Sequence, residues 1–275
     1  MFNIPLTTIL EQYSKDTYDT PVDTPRFVSD RLLLNTRWGF YLNFFETVVK
    51  SSRSARKGTY DDTRWIQSSY DIFKKIEGCG GRFHIKGLDN LRNAKEPVII
   101  VSNHMSTLET MIFPGIIAPF MKVTFVVKDK LVKGPIFGPV MRSRNPIVVG
   151  RKNAFEDFRV VMDQGEERLK EGYSLIIFPQ STRTLIFNPE QFNTMGVKLA
   201  KKVGVKVIPT AIQTDWWGES KIMKGFGPIH RDKPINMVFG EPIEVKGNGK
   251  EEHKQTIEFI TSHLSEWGVK IEPKK

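Results

Sequence analysis

His104 and Glu109, five residues apart in Asn103-His104-Met105-Ser106-Thr107-Leu108-Glu109, are the pair in this 275-residue chain best suited to move a proton. An imidazole with a pKa of about 6.5 takes up a proton near neutral pH. A carboxylate beside it fixes the ring tautomer and stabilises the imidazolium. A separation of five turns the two side chains onto different faces of an ideal helix. They meet only if His104 precedes a helix and Glu109 lies in its first turns. Such a pair needs no metal and no cofactor. Ser106-x-x-Glu109 also fits a capping box, in which the carboxylate accepts a backbone N–H instead. Spacing alone leaves both readings open.

Anion-binding candidates stand where apolar stretches end. Lys128 follows Val-Thr-Phe-Val-Val, and Arg151 follows the stretch Ile147–Val149. Arg183 closes Phe178-Pro179-Gln180-Ser181-Thr182-Arg183 after Ser-Leu-Ile-Ile-Phe. Arginine offers a fork matched to phosphate, and lysine a point charge. Each cation alone reads as a solvated surface charge. Three of them at strand ends, in register with His104, point to an anion site beside a base.

These residues need a sheet to bring them together. Arg82–Lys86, Pro97–Ser102, Val123–Val127, Ile147–Val149, Ser174–Phe178, Val205–Pro209 and Ile235–Phe239 read as strands. Residues 154–171, 194–203 and 250–267 read as helices. Short apolar strands separated by helices predict an α/β fold, with a mixed, mostly parallel sheet flanked by helices. In such sheets chemistry gathers beyond the carboxyl ends of the strands.

Residues 1–30 are a polar lead-in with Pro5, Pro21 and Pro25. The segment 31–78 differs in character. Its first half, 31–50, is dense in Leu, Phe, Trp and Tyr, with the cluster Lys50, Arg53, Arg56 and Lys57 at its end. Aromatic amphipathic helices flanked by cations lie in a lipid interface. A core helix followed by a solvated charge run is the competing reading. Residues 64–76 form a second amphipathic helix with Trp65, Tyr70, Phe73 and Ile76 as its apolar set. Gly78-Cys79-Gly80-Gly81 stops it, and residues 79–275 form the main α/β domain.

Composition sets the outer bounds. Hydrophobic residues are 39% and charged residues 26%, enough to bury a core, and the net charge is +10. That surplus attracts anionic partners. No basic run on one helix and no nucleic-acid motif is present, so nucleic acid is not the expected one. A single cysteine, Cys79, excludes an internal disulfide framework and suits a reducing compartment. No stretch of eighteen apolar residues predicts a transmembrane helix.

The motifs in order resemble the 1-acylglycerol-3-phosphate acyltransferase family of glycerolipid acyltransferases. Its Asn-His-x4-Asp block is matched by Asn103-His104 through Glu109, with Glu for Asp. Its strand ending in Arg is matched by Pro146–Arg151. Its Phe-Pro-Glu-Gly-Thr-Arg-Ser block is matched by Phe178–Thr184, with Gln180-Ser181 for Glu-Gly. Its apolar strand ending in Pro is matched by Val207-Ile208-Pro209. The resemblance covers roughly residues 82–245. It implies an α/β layer with an N-terminal helical pair on the bilayer, on the cytoplasmic face. It implies His104 as general base on an acceptor hydroxyl, oriented by Glu109. The acyl donor is then a thioester of coenzyme A or acyl carrier protein. Arg183, Arg151 and Lys128, with Thr182, Gln180 and Ser181, then bind the lysophospholipid acceptor. The two departures fall in the acceptor site, so a different lipid acceptor or a non-catalytic lipid-binding relative are the alternatives.

Overall fold

The computed structural model describes residues 4–180, 182–220 and 225–272. Its centre is an eight-stranded sheet in the order β1-β2-β8-β7-β3-β6-β4-β5. The central strands are β3 (Ile99–Ser102), β4 (Val123–Lys128), β6 (Ser174–Ile177) and β7 (Val207–Gln213), with β5 (Ile147–Val149) at one edge. These five run parallel. On the other side β8 (Ile235–Phe239) pairs antiparallel with β7, β2 (Phe83–Lys86) runs parallel to β8, and the edge strand β1 (Tyr18–Asp19) returns antiparallel to β2. The sheet is therefore mixed and mostly parallel, as the alternation of apolar runs and helices predicts.

Every residue of β3, β6 and β7 is buried. Strands covered on both faces read as near-continuous apolar runs, which is what β3 and β6 are, whereas β7 also buries Thr210 and Gln213. One face packs against α3 (Arg37–Arg56), α4 (Asp62–Gly78) and α6 (Leu108–Ile117), whose side chains share a core with Ile100, Ile176 and Ile208. The other face packs against α9 (Ala154–Lys170), α10 (Met195–Val203) and α11 (Lys250–Glu266). Short helices α1 (Leu6–Gln12), α2 (Val28–Leu32), α5 (Leu88–Arg92), α7 (Asp129–Lys133) and α8 (Phe137–Arg142) complete the layers. Helix starts follow local chemistry: Asp61 accepts the N–H of Arg64 to begin α4, and Asn153 accepts those of Phe155 and Glu156 to begin α9. Among the described residues no helix is long and apolar enough to cross a membrane.

The N-terminal segment packs on the rest of the chain, with Ile9 and Tyr13 fully buried in the main core. Segment 31–50 is divided. Helix α2 ends at Leu32, Leu34 and Asn35 adopt left-handed φ of 52° and 60°, and α3 starts at Arg37. That backbone is costly for a leucine. It is pinned from below by the fully buried Asp30, which accepts Arg231 at 2.6 Å, while the same guanidinium reaches the Thr36 carbonyl at 3.0 Å. The two faces of α3 differ. Phe40, Tyr41, Phe44 and Val48 are buried, whereas Trp38 and Leu42 are exposed. Val28, Leu32 and Leu34, on α2 and in the turn that leads into α3, are exposed as well, which makes 28–42 the apolar patch of this segment. The cations beside that patch are Arg31 and Arg37, with Arg37 stacked 5.3 Å from the Trp38 ring. Lys50, Arg53, Arg56 and Lys57 lie at the other end of α3, where the sequence has them. Rising about 1.5 Å per residue, the helix carries Arg53 roughly 22 Å from Trp38.

Candidate active site

All five parallel strands present their carboxyl ends at one edge of the sheet. His104 follows β3 there and Phe178-Pro179-Gln180 follows β6, the neighbouring strand. Thr214 follows β7 on the other side. Asn103 anchors the exit of β3. Its side-chain amide donates to the Ile212 carbonyl and accepts the Ile212 N–H, both at 2.9 Å, imitating one more rung of the β3–β7 ladder.

His104 is gripped at backbone and ring. Its N–H donates to Gln180 Oε1 at 2.6 Å, and its carbonyl accepts the Thr184 N–H at 3.0 Å. The ring lies on Phe178, centroids 4.4 Å apart and planes 23° apart. Nδ1 is 2.8 Å from Glu109 Oε1. A carboxylate in that place accepts the Nδ1 proton and leaves the lone pair on Nε2. The side chain keeps 18% of its surface open, so the ring stays reachable.

Glu109, in the first turn of α6, is fully buried. Oε1 also accepts the N–H groups of Met105 and Ser106, at 2.8 and 2.9 Å. Oε2 accepts the hydroxyls of Ser106 and Thr214, at 3.0 and 2.7 Å. One carboxylate thus makes both sets of contacts, to the backbone N–H groups as in a capping box and to the imidazole. Burial pushes its carboxyl pKa up. The hydrogen bond and charge of His104, with the Thr214 hydroxyl, more than offset this and hold it below the usual carboxylate range.

The remaining expected residues divide. Arg183 is brought in: its Nη1 donates to Thr107 Oγ1, three residues past His104. Thr182 is exposed beside it. Gln180, expected at the acceptor, is buried, and its oxygen is engaged by the His104 backbone. Ser181 lies outside the described residues. Lys128 and Arg151 end β4 and β5, two and three strands from β3. At about 4.8 Å per strand they stand roughly 10 and 14 Å along the same edge. Arg151 adopts a left-handed φ of 56° and its N–H donates to Asp157 at 3.0 Å. Cys79 is buried and its thiol is pushed up to about 12, chiefly by desolvation, so it is no nucleophile.

Thr214 and Glu219 are absent from the expected set. Ending the seventh strand at Pro209 hides Thr214, because β7 continues to Gln213. Glu219 Oε1 stands 2.9 Å from Arg183 Nη1, a long-range contact that no local pattern signals.

A buried carboxylate on a histidine at a strand end, with an arginine alongside, is an arrangement able to take a proton from a hydroxyl beside a bound anion. Residues 82–213 match the sequence model of the Acyltransferase family. A 1-acyl-sn-glycerol-3-phosphate acyltransferase of Pseudomonas aeruginosa is 28% identical over 237 residues, 86% of each chain. A lyso-ornithine lipid O-acyltransferase of the same organism is 26% identical over 168 residues, 56% of this chain and 62% of that one. The crystal structure of the 1-acyl-sn-glycerophosphate acyltransferase PlsC from Thermotoga maritima shares the fold, with a TM-score of 0.62 at 21% identity over 87% of this chain and 98% of that one. Residues 82–213 carry an Acyltransferase domain, and the chain is an O-acyltransferase.

Proposed function

We propose that the chain acylates the free hydroxyl of 1-acylglycerol-3-phosphate at a membrane surface, using a fatty thioester of coenzyme A or acyl carrier protein. The observation that carries this reading is the His104–Glu109 pair, 2.8 Å apart, with Arg183 tied to Thr107 beside it. Nε2 of His104 takes the proton of the acceptor hydroxyl as the oxygen attacks the thioester carbonyl. The new C–O bond forms, the C–S bond breaks, and the imidazolium returns its proton to the leaving thiolate. Glu109 stabilises that imidazolium. A thioester is reactive enough that no covalent enzyme intermediate is required. A positioned base of this kind supplies about 10²–10⁴-fold.

Arg183 provides the fork for the acceptor's phosphate, and Thr182 lies next to it. Lys128 and Arg151 extend the positive edge toward a bulkier anionic group, such as the donor's phosphates. The patch Val28, Leu32, Leu34, Trp38 and Leu42, with Arg31 and Arg37, supports docking on an anionic bilayer. We assign this docking to the cytoplasmic face, where both thioester donors are found. The non-catalytic alternative is disfavoured by the intact, fully bonded pair. The test is conversion of lysophosphatidate and oleoyl-CoA, or the matching acyl carrier protein, to phosphatidate by purified protein on liposomes. Product detected by mass spectrometry supports the acceptor assignment. Turnover of other lysolipids with none of lysophosphatidate refutes it.

A further inference from the structure

Under the acceptor reading Arg183 receives a phosphate, yet this guanidinium already has an anion. Glu219 Oε1 lies 2.9 Å from its Nη1. That oxygen is buried and accepts no hydrogen bond from the described residues, so it meets the guanidinium as a charge rather than along an N–H direction. Oε2 accepts the backbone N–H of Gly225 at 3.0 Å. Gly225, with φ of +87°, brings bare backbone close to the same place: a Cβ there would stand 3.0 Å from Thr107 Oγ1 and 3.4 Å from Arg183 Nη1. The pair is not sealed, since Arg183 and Glu219 keep 25% and 31% of their side-chain surface open.

We propose that Glu219 is a placeholder for the acceptor's phosphate. It holds Arg183 over Thr107 while the site is empty and releases the guanidinium to the incoming head group. This rests on the acceptor reading above. A carboxylate and a phosphate present similar oxygens to an arginine fork. A phosphate monoester carries about −1.5 to −2 charge at neutral pH, against −1 for the carboxylate, so it displaces Glu219 from a half-open site. A head group without charge leaves the pair in place. Glu219 is therefore a specificity-determining residue that sets the affinity for phosphate-bearing acceptors without taking part in proton transfer.

The experiment is calorimetric titration of the full chain in detergent micelles with lysophosphatidate, using wild type, E219Q, R183A and the double variant. The glutamine keeps one oxygen for the Gly225 N–H and removes only the competing charge. Exposed pairs of this kind predict that E219Q binds lysophosphatidate about 2- to 5-fold more tightly, with KM lowered and kcat unchanged. Monoacylglycerol affinity stays the same, and the gain vanishes in the R183A background. Unchanged or weaker lysophosphatidate binding by E219Q overturns the proposal, as does a gain that survives R183A. Absence of lysophosphatidate binding in both wild type and E219Q overturns it as well. If binding behaves as predicted but no phosphatidate forms, the acceptor reading fails and the placeholder stands.

Discussion

Glu109→Gln is the substitution that separates charge from geometry at this site. The amide oxygen can take the place of Oε1, still accepting His104 Nδ1 and the N–H groups of Met105 and Ser106. The amide nitrogen then faces the Ser106 and Thr214 hydroxyls, which rotate to accept from it. The tautomer of His104 is kept and the chain folds. What is lost is the negative charge opposite the imidazolium. With charge centres about 4 Å apart and an effective dielectric near 20, that attraction is roughly 4 kcal/mol. Solvent access to a partly open ring reduces it. At about 1.4 kcal/mol per decade, kcat falls roughly 10²- to 10³-fold. Thiol release from an acyl-CoA donor in the presence of lysophosphatidate measures it, with circular dichroism to confirm the fold. A folded variant whose kcat stays within tenfold of wild type refutes the view that Glu109 acts through its charge.

Thr214→Val deletes the hydroxyl that donates to Glu109 Oε2 at 2.7 Å while keeping the volume. Hydrogen bonds to charged groups contribute about 1.5–3 kcal/mol, so urea unfolding should show a loss in that range, and kcat should drop about tenfold. Thr214→Ser should restore most of both. Because the folded carboxyl of Glu109 titrates below its usual range, it stabilises the fold above pH of about 4.3. That contribution is lost as pH falls through the folded value, the unfolded chain having taken up the proton first. The stability gap between wild type and Glu109→Gln should therefore narrow between pH 6 and pH 3.5 in denaturant titrations; a constant gap contradicts the assignment. Leu42→Asp removes an exposed apolar contact from the patch. It should weaken sedimentation with anionic liposomes about tenfold or more, at roughly 1.5–3 kcal/mol per leucine, without changing the melting temperature.

The sheet was legible because its central strands are buried on both faces. Segments such as Ile-Ile-Val-Ser and Ser-Leu-Ile-Ile have no polar side to disguise them. His104 was legible because it closely follows such a strand, and Arg183 because it closes the motif that begins where another ends. Local pattern failed where tertiary contact decides the outcome. Pro209 looks like a strand terminus, yet β7 runs on to Gln213 because its neighbours supply the remaining ladder bonds, and Thr214 was hidden behind it. Gln180 sits in a motif expected to meet substrate, but a 2.6 Å bond from the His104 N–H turns it inward. Its amide keeps an acceptor for that N–H while placing no second carboxylate next to the ring. Glu109 stands where the resembled motif has the shorter acid, and its Oε2 accepts the Thr214 hydroxyl at 2.7 Å. On α3, hydropathy identified an apolar helix but not which turns face water. The left-handed turn at Leu34–Asn35, pinned by Asp30 and Arg231, determines that.

The central claim is that His104 Nε2 draws the proton from the acceptor hydroxyl. Its most direct measurement is kcat for thiol release by His104→Ala, with lysophosphatidate as acceptor and liposome binding recorded in parallel. The account predicts loss of at least about 10²-fold in kcat with membrane binding and fold unchanged. Turnover within tenfold of wild type in that variant would contradict it.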